Sequence, residues 1–237
     1  MTPLLNGMNM EKLSVPIAVV ISGALIAGAL YYSNVKAPIK AVNNAPIVNT
    51  NVGMKPVSAD DHILGNPNAD LIIVEYSDTE CPYCKVFHNT LQRVMNEYGK
   101  DGRVAWVYRH FPIDSNHPKA RKESEAMECA NELGSGEKFW EYTNLLYQTT
   151  NSNNSLDPAE LPKMAKAVGL DVTAFNTCLS SGKYAAKIEA SVQDAQNAGA
   201  QGTPYSVIIS KDGTKTPITG GAVPYESLKP IIDALLQ

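Results

Sequence analysis

The sequence predicts an α/β fold with a mixed central sheet, a helical insertion between its two halves, and an N-terminal transmembrane helix. Three observations support this prediction. Residues 71–108 show strand, helix and strand patterns in turn, as a βαβ unit does. Residues 118–199 have helical patterns throughout. Residues 205–236 carry two strand patterns, joined by hairpin turn residues, and a closing helix.

Length and composition limit the possible classes of function. The chain has 237 residues, enough for one packed domain of about 150–200 residues with extra segments. Its formal net charge is −4, which provides no basic surface, so we expect no nucleic-acid partner. Four cysteines are too few for a disulfide-built scaffold, so any bridge supplements a hydrophobic core.

The N-terminal segment 15–32 contains no charged residue. At about 1.5 Å per residue, a helix of this length reaches about 27 Å, close to a bilayer core of about 30 Å. We interpret it as an uncleaved signal anchor, with residues 1–14 in the cytoplasm. A cleaved signal peptide is the main alternative, because residues 27–29 (Ala-Gly-Ala) fit the small-x-small cleavage pattern. A buried core helix is the third option.

A linker follows the apolar segment. Residues 33–60 are rich in Asn, Pro, Ala and Val and show no helical or strand periodicity, which indicates an extended tether. A signal anchor and a signal peptide both place the rest of the chain outside the cytoplasm, in the periplasm or on the exterior of the cell envelope. Disulfides persist in that environment.

The first half of the sheet surrounds a C-x-x-C sequence. The apolar run Leu71–Val74 fits a strand covered on both faces. Cys81 and Cys84 follow it and open a predicted helix that stops near Gly99. Val104–Tyr108 is the second predicted strand, which completes the βαβ unit.

The insertion and the second half of the sheet follow. Gly, Pro and Asn-rich breaks separate the predicted helices of the insertion. After it, Tyr205–Ile209 and a stretch around 216–219 are predicted strands, and a helix over Tyr225–Leu236 closes the chain. Three aromatic residues are expected in the core of the insertion: Phe139, Trp140 and Tyr142.

The C-x-x-C has the properties of a redox-active dithiol. Cys81 falls at the helix N-terminus, where unpaired backbone N–H groups and the helix dipole favour a thiolate. Pro82 suits the first turn because its missing N–H costs nothing there. Cys84 lies about one turn later on the same face. We therefore expect Cys81 to be the exposed attacking thiol and Cys84 the shielded resolving thiol.

Two other interpretations of the C-x-x-C are open. A structural zinc site needs four ligands, but Cys129 and Cys178 stand alone and the histidines show no ligand spacing. His88 is expected to be an exposed helix residue. Two inert buried thiols are the second alternative. The strand before and the helix after the C-x-x-C favour the redox-active dithiol, and we expect no metal.

Four separated blocks of the sequence carry a family resemblance: residues 60–88, 108–120, 128–147 and 199–210. Together they resemble the DsbA-like thiol–disulfide oxidoreductases of the thioredoxin superfamily, and more narrowly their membrane-anchored bacterial branch. The resemblance covers roughly residues 60–236 and implies a thioredoxin fold. The expected segments are a first thioredoxin half at 61–117, a helical insertion at 118–199 and a second half at 200–237.

The resemblance implies roles for individual residues. Cys81 matches the nucleophile of the family and Cys84 its resolving thiol. Residues 203–204 (Thr203-Pro204) match a loop that faces the active site and contains a cis proline, which exposes backbone groups to an extended substrate. From the residues alone, an ordinary trans turn is the alternative. Glu75 matches a buried carboxylate that relays the proton of Cys84; its alternative is a solvated carboxylate at the strand end.

The direction of electron flow depends on Pro82 and Tyr83. Typical DsbA oxidases have Pro-His between the cysteines, so without that histidine we expect a less extreme oxidant. The implied function is disulfide donation to unfolded or reduced exported proteins, with no cofactor beyond the Cys81–Cys84 disulfide. A membrane quinone-linked thiol oxidase would re-oxidise it. The alternatives are a reductase or isomerase with the same site, or a non-catalytic peptide-binding chaperone.

The remaining cysteines, Cys129 and Cys178, fall on two different predicted helices of the insertion. In a compact helical block they could meet, and an oxidising compartment would then join them in a structural disulfide, which we expect. Two buried free thiols, packed as small apolar side chains, are the alternative.

Overall fold

The computed structural model describes residues 52–237. The predicted signal anchor and most of the predicted linker lie outside the described residues. Within residues 52–237, none of the helices has the length and apolar character needed to cross a bilayer.

The core of the fold is a five-stranded mixed sheet with the order β1-β3-β2-β4-β5. Strands β2 and β3 are parallel, as a βαβ unit requires, and all other neighbours are antiparallel. The mixed sheet is therefore confirmed. The strands are β1 (His62–Leu64), β2 (Leu71–Ser77), β3 (Val104–His110), β4 (Tyr205–Ser210) and β5 (Lys215–Ile218).

Six α-helices accompany the sheet within the described residues. The α-helix that carries Cys84 runs to Val94, and a π-helix over Met95–Gly99 follows it directly. The predicted helix stop near Gly99 therefore agrees with the structure. The α-helices are α1 (Pro82–Val94), α2 (Ala120–Thr149), α3 (Glu160–Ala167), α4 (Val172–Ser181), α5 (Ala185–Asn197) and α6 (Tyr225–Leu235).

The sheet is covered on both faces because side chains alternate along each strand. Leu71 and Ile73 of β2 point to the face that packs against α1, α2 and α6. Val74 and Tyr76 point to the opposite face, where α5 and the segment around Val52 cover them. Glu75 has the same parity as Leu71 and Ile73, so its carboxylate points into the α1 side of the core.

Three of the inserted helices, α2, α3 and α4, share one hydrophobic core with the sheet, whereas α5 packs on its opposite face. Helix α2 is interrupted at Gly134 and Ser135, where Ser135 has φ 64°, so the two helices expected on either side of this point meet at a kink. After the kink, Phe139 and Trp140 are buried, and the ring of Trp140 lies 4.7 Å from that of Trp106 in β3. These contacts fasten the insertion to the sheet.

A disulfide joins two of the inserted helices. Cys129 of α2 and Cys178 of α4 are bonded, with sulfurs 2.02 Å apart and Cα atoms 5.9 Å apart. The structure therefore places the two sulfurs at bonding distance, which agrees with the predicted bridge. It connects residues 49 positions apart in the chain.

Candidate active site

Two cysteines begin helix α1. Cys81 is the N-cap residue, with extended backbone angles (φ −78°, ψ 122°), and Pro82 occupies the first helical turn. Cys84 follows one turn later, and both cysteines are free thiols. The local structure agrees with the prediction. Pro82 lacks a backbone N–H, and in the first turn of a helix that N–H would have no helical partner, so proline is tolerated there.

Both thiols are largely buried. Cys81 is 5% exposed and Cys84 is fully buried, so the expected contrast in exposure between an accessible and a shielded sulfur is small. The exposed surface beside them is apolar instead. Tyr83, between the cysteines, is 67% exposed, and Val86 in the next turn is 56% exposed.

The two thiols differ strongly in acidity. The pKa of Cys81 is lowered to about 6, first because the Cys84 thiol donates a hydrogen bond to its thiolate, with help from the N–H groups at the start of α1 and from Thr203. The pKa of Cys84 is raised well above its ordinary value, mainly by burial. The pair therefore holds a stable thiolate at Cys81 and a protonated thiol at Cys84.

The loop before β4 forms the opposite wall of the site. The peptide bond between Thr203 and Pro204 is cis, as the family resemblance implies. The Cys81 sulfur lies 3.4 Å from the backbone carbonyl oxygen of Thr203, to which the thiol donates when it is protonated. Two segments 122 positions apart in sequence thus meet at the Cys81 sulfur.

Glu75 lies beneath the cysteines and is fully buried. It accepts hydrogen bonds from the Ser77 hydroxyl (2.8 Å) and the Trp106 indole N–H (3.0 Å). Burial raises its pKa to about 8, since these neutral donors only partly replace water. Strand β2 runs two residues beyond Glu75, which excludes the alternative of a solvated carboxylate at the strand end.

A chain of hydroxyl groups extends from Glu75. Ser77 Oγ lies 2.9 Å from the Tyr147 hydroxyl, which lies 3.2 Å from that of Tyr108. The backbone N–H of Asp78 donates to Cys84 Sγ at 3.4 Å. The buried polar groups below the cysteines therefore form one connected network. Sequence reasoning missed Ser77 and Tyr147, because the hydrogen bond that joins them connects β2 to α2, 70 positions away in the sequence.

Two further acidic side chains precede Cys81 and are buried. Asp78 accepts hydrogen bonds from the Ile113 N–H (2.7 Å) and from His117 Nδ1 (2.9 Å). Glu80 accepts from the backbone N–H of Asn154 at 2.7 Å, in the loop that follows α2. These hydrogen bonds hold the segment before Cys81 to the loops around Ile113 and Asn154. In the sequence, the only indication of this role was that both acidic residues directly precede Cys81.

The burial of His88 differs from the prediction made from the sequence. His88 was predicted to be exposed, but it is buried, because the insertion covers this face of α1. Its Nε2 lies 2.8 Å from Asn144 Oδ1, and its ring lies 4.5 Å from that of Tyr147. Burial lowers the pKa of His88 to about 4, so its ring is neutral at physiological pH.

A dithiol at a helix N-terminus, in contact with a cis-proline loop at one end of a mixed sheet, defines a thiol–disulfide oxidoreductase of the thioredoxin fold. The family model for thioredoxin matches residues 58–234. The chain belongs to the thioredoxin family. Within that family it is a DsbA-like thiol–disulfide oxidoreductase, as its resemblance to DsbA2 of Pseudomonas aeruginosa indicates.

Three solved structures illustrate the likeness. DsbA2 of Pseudomonas aeruginosa is 26% identical and superposes with a TM-score of 0.64 over 76% of this chain and 97% of its own. BdbD of Bacillus subtilis, at 20% identity, has a TM-score of 0.68 over 79% and 99%. The T172V variant of alpha-DsbA1 from Wolbachia pipientis, at 23% identity, has a TM-score of 0.64 over 79% and 96%. The last two show the shared fold.

The curated proteins of similar sequence are longer than this chain, which matches only one region of each. A protein of Salinispora tropica named Na(+)/H(+) antiporter NhaA 3 is 31% identical over 208 residues, which cover 86% of this chain and 30% of that protein. A Mycolicibacterium gilvum protein named Na(+)/H(+) antiporter NhaA 1 is 30% identical over 161 residues, 67% of this chain and 25% of that protein. The chain spans less than a third of these relatives.

Proposed function

We propose that this protein donates the Cys81–Cys84 disulfide to reduced, unfolded exported proteins. The observation that carries the proposal is the difference between the two thiols, with the pKa of Cys81 lowered to about 6 and that of Cys84 raised far above its ordinary value. A thiol with a low pKa is a good leaving group in disulfide exchange. Cys81 is therefore suited to accept the substrate sulfur and to release it again.

The reaction has two exchanges. A substrate thiolate attacks Cys81 Sγ, the Cys81–Cys84 bond breaks, and Cys84 leaves as a thiolate that takes up a proton. A second substrate thiolate then attacks the substrate sulfur of this mixed disulfide and releases Cys81 as a thiolate. The substrate loses two electrons and gains a disulfide, while the enzyme dithiol becomes reduced.

Glu75 is the proposed proton donor to Cys84. Its pKa of about 8 keeps it protonated at neutral pH, and the Cys84 thiolate is a strong base because its site is buried. Ser77 bonds the Glu75 carboxyl and also lies beside the Cys84 sulfur. A proton can therefore reach Cys84 without water entering the core.

The groove between Tyr83 and residues 203–204 is the proposed substrate site. The cis peptide leaves backbone groups of Thr203 beside Cys81, where an extended polypeptide can form main-chain hydrogen bonds. The exposed apolar side chains of Tyr83 and Val86 suit unfolded substrates, which expose apolar residues. This arrangement recognises backbone and apolar surface, so we expect little sequence specificity.

The proposed location is extracytoplasmic, with the N-terminal segment 15–32 as a membrane anchor. We propose re-oxidation by a membrane quinone-linked thiol oxidase, which the DsbA-like assignment favours. No antiport activity is proposed, because the matching antiporters are more than three times as long as the region they share with this chain.

The redox potential tests the direction of the proposal. Thioredoxin combines a thiol pKa of about 7 with about −270 mV, and DsbA a pKa of about 3.5 with about −120 mV. A pKa of about 6 for Cys81 lies between them, so we expect roughly −240 to −190 mV from about 30 mV per pKa unit. Equilibration with glutathione buffers measures this potential. A value at or below about −270 mV would identify a reductase instead.

A further inference from the structure

A second cluster of chemically competent side chains lies outside the dithiol site. It contains His62 of β1, His110 at the end of β3, and Glu128 of α2. All three are buried, with at most 6% of each residue exposed. Three elements far apart in sequence thus bring two imidazoles and a carboxylate to one point, although the sequence spacing gave no indication of it.

The distances between the donor atoms match a metal site. His62 Nε2 and His110 Nε2 lie 2.8 Å and 3.1 Å from the same oxygen, Glu128 Oε1. Around a tetrahedral zinc ion with ligands at about 2.0–2.1 Å, neighbouring donors are roughly 3.3 Å apart. The three donor atoms all lie within 4.8 Å of one another, so small movements of the side chains would admit an ion between them.

The surroundings hold the rings in place. The His62 ring stacks on Phe139, with ring centroids 3.5 Å apart and planes 7° apart. The His110 ring meets Phe139 edge to face at 6.1 Å. Because packing already fixes both rings, a metal ion would find its ligands in position and little ordering entropy would be lost on binding.

Both imidazoles turn the same nitrogen toward one carboxylate oxygen. Glu128 Oε1 accepts from both rings, so each ring uses its Nε2 there. These two nitrogens and the carboxylate oxygen are therefore already directed at one point, where an ion could lie. Among the residues that the structure describes, His110 Nδ1 is buried without a hydrogen-bond partner, and an ion at Nε2 would leave it so.

Lys187 and a cavity border the cluster. Lys187 Nζ bonds the other oxygen, Glu128 Oε2, at 2.7 Å, so its ammonium competes with a metal ion for the carboxylate charge, and its own side chain is 41% exposed. A cavity of about 210 Å³ is lined by the three ligating residues and Lys187. It has room for a water molecule as the fourth ligand.

We propose that His62, His110 and Glu128 bind a divalent transition-metal ion, with zinc as the first choice. Two imidazoles and one carboxylate form a donor set that zinc accepts, whereas calcium and magnesium require more oxygen ligands. The ion links β1, β3 and α2, and so fastens the insertion to the edge of the sheet. This site is independent of the proposed disulfide donation.

The test uses the full chain with the Cys81–Cys84 disulfide formed, so that no thiolate competes for metal. Chelator-treated protein is titrated with ZnCl₂ by calorimetry and with CoCl₂ by visible absorption. We expect one ion per chain and a cobalt spectrum of tetrahedral nitrogen and oxygen ligands. His62→Gln and His110→Gln should each weaken zinc binding about 100-fold or more, because each removes one of three ligands.

The matched control is His117→Gln, which removes another buried histidine bonded to a carboxylate, that of Asp78, and should leave zinc affinity unchanged. If the ligand variants fail to fold, Lys187→Ala replaces them as the test. Loss of the competing ammonium should tighten zinc binding about tenfold, by Coulomb's law. No stoichiometric uptake by the wild type, or equal affinity in all variants, would overturn the proposal and leave a hydrogen-bonded triad.

Discussion

The two cysteine pairs of this protein are equally buried, yet they differ in chemistry. Cys81 and Cys84 are free thiols that are 5% and 0% exposed, while Cys129 and Cys178 form a disulfide and are 0% and 6% exposed. The two pairs differ in where their cysteines lie along a helix. Cys81 caps a helix with unpaired N–H groups beside its sulfur, whereas Cys129 lies within α2, where the backbone is already bonded. Reactivity here depends on local electrostatics and much less on exposure.

The largest expected effect comes from exchanging the nucleophile. Cys81→Ala should lower the rate of disulfide formation in a reduced, unfolded test protein by about 1000-fold or more, because no other thiol in the site is activated. The measurement is the loss of substrate thiols over time. The double variant Cys129→Ala/Cys178→Ala is the control and should keep most of the activity. A wild-type rate of thiol loss in Cys81→Ala would contradict the assignment of Cys81 as the nucleophile.

The second effect concerns the other cysteine pair. The Cys129–Cys178 disulfide should contribute more to the free energy of unfolding than the Cys81–Cys84 pair does. The Cys129–Cys178 bridge closes a loop of 49 residue steps, so its removal should lower the free energy of unfolding by about 4 kcal/mol. Denaturant unfolding of the double variant, without reductant, measures the loss. The redox potential of Cys81–Cys84 should be unchanged. A loss below about 1 kcal/mol would show that the bridge constrains the unfolded chain very little.

The third effect tests how the reactive pair handles its proton. Glu75→Gln should slow the attack of a substrate thiolate on the oxidised enzyme by about 100-fold at pH 7. Glu75 is an acid with a pKa of about 8, so it is protonated below that pH and loses its proton above it. The ratio of wild-type to variant rate should therefore fall as the pH rises through 8.

Glu123→Gln is the matched control for this prediction. Glu123 is also buried, and its pKa is also raised to about 8, first by burial, but it bonds Thr79 and not the residues around Cys84. Its loss should leave the stopped-flow rate of the first exchange unchanged. Equal slowing in both variants would mean that Glu75 acts on stability alone and relays no proton.

The fourth effect concerns the acidity of Cys81. Its alkylation rate should rise with pH to a plateau with a midpoint near 6, because the pKa is lowered to about 6 and only the thiolate reacts. Since the hydrogen bond from Cys84 is the largest cause of this shift, Cys84→Ala should move the midpoint upward by about one pH unit or more. Cys84→Ser keeps a donor and should stay closer to 6. Equal midpoints in these two variants would contradict the assigned cause.

The smallest effect comes from the exposed residue between the reactive cysteines. Tyr83→His installs the histidine of typical DsbA oxidases, which stabilises the thiolate. The potential should rise by about 30 mV, equivalent to one unit of thiol pKa. Glutathione equilibration measures the shift, with Val86→His as a control one turn away on the same exposed surface. A fall in potential would contradict the expected stabilisation of the thiolate.

Local sequence patterns predicted most of the fold. The βαβ unit, the separate helices of the insertion and the hairpin of β4 and β5 follow from apolar periodicity and from Gly and Pro breaks, which act over a few residues. Strand β1 (His62–Leu64) was missed because three residues cannot establish a period, and its pairing with β3 exists only in the tertiary structure. The length of β2 was underestimated because its last residues are polar and are buried by later elements.

The candidate site was predictable where its chemistry is local. Cys81 and Cys84 share one helix turn, so their spacing alone indicated a dithiol. Of the two side chains that donate to Glu75, Trp106 lies 31 positions away in the sequence. Ser77 is only two positions from Glu75, but its other partner, Tyr147, is 70 positions from Ser77. His88 was placed wrongly for the same reason, since the insertion that buries it begins about thirty residues later. Contacts across such separations leave no periodic trace in the sequence.

The exposure of Tyr83 has a consequence for the redox potential. Its side chain is 67% exposed, and it lies between the two reacting sulfurs. Substitutions at an exposed position cost little folding free energy, while this position is close enough to the Cys81 thiolate to change its stability. Substitutions at this position can therefore shift the redox potential of the dithiol without repacking the core.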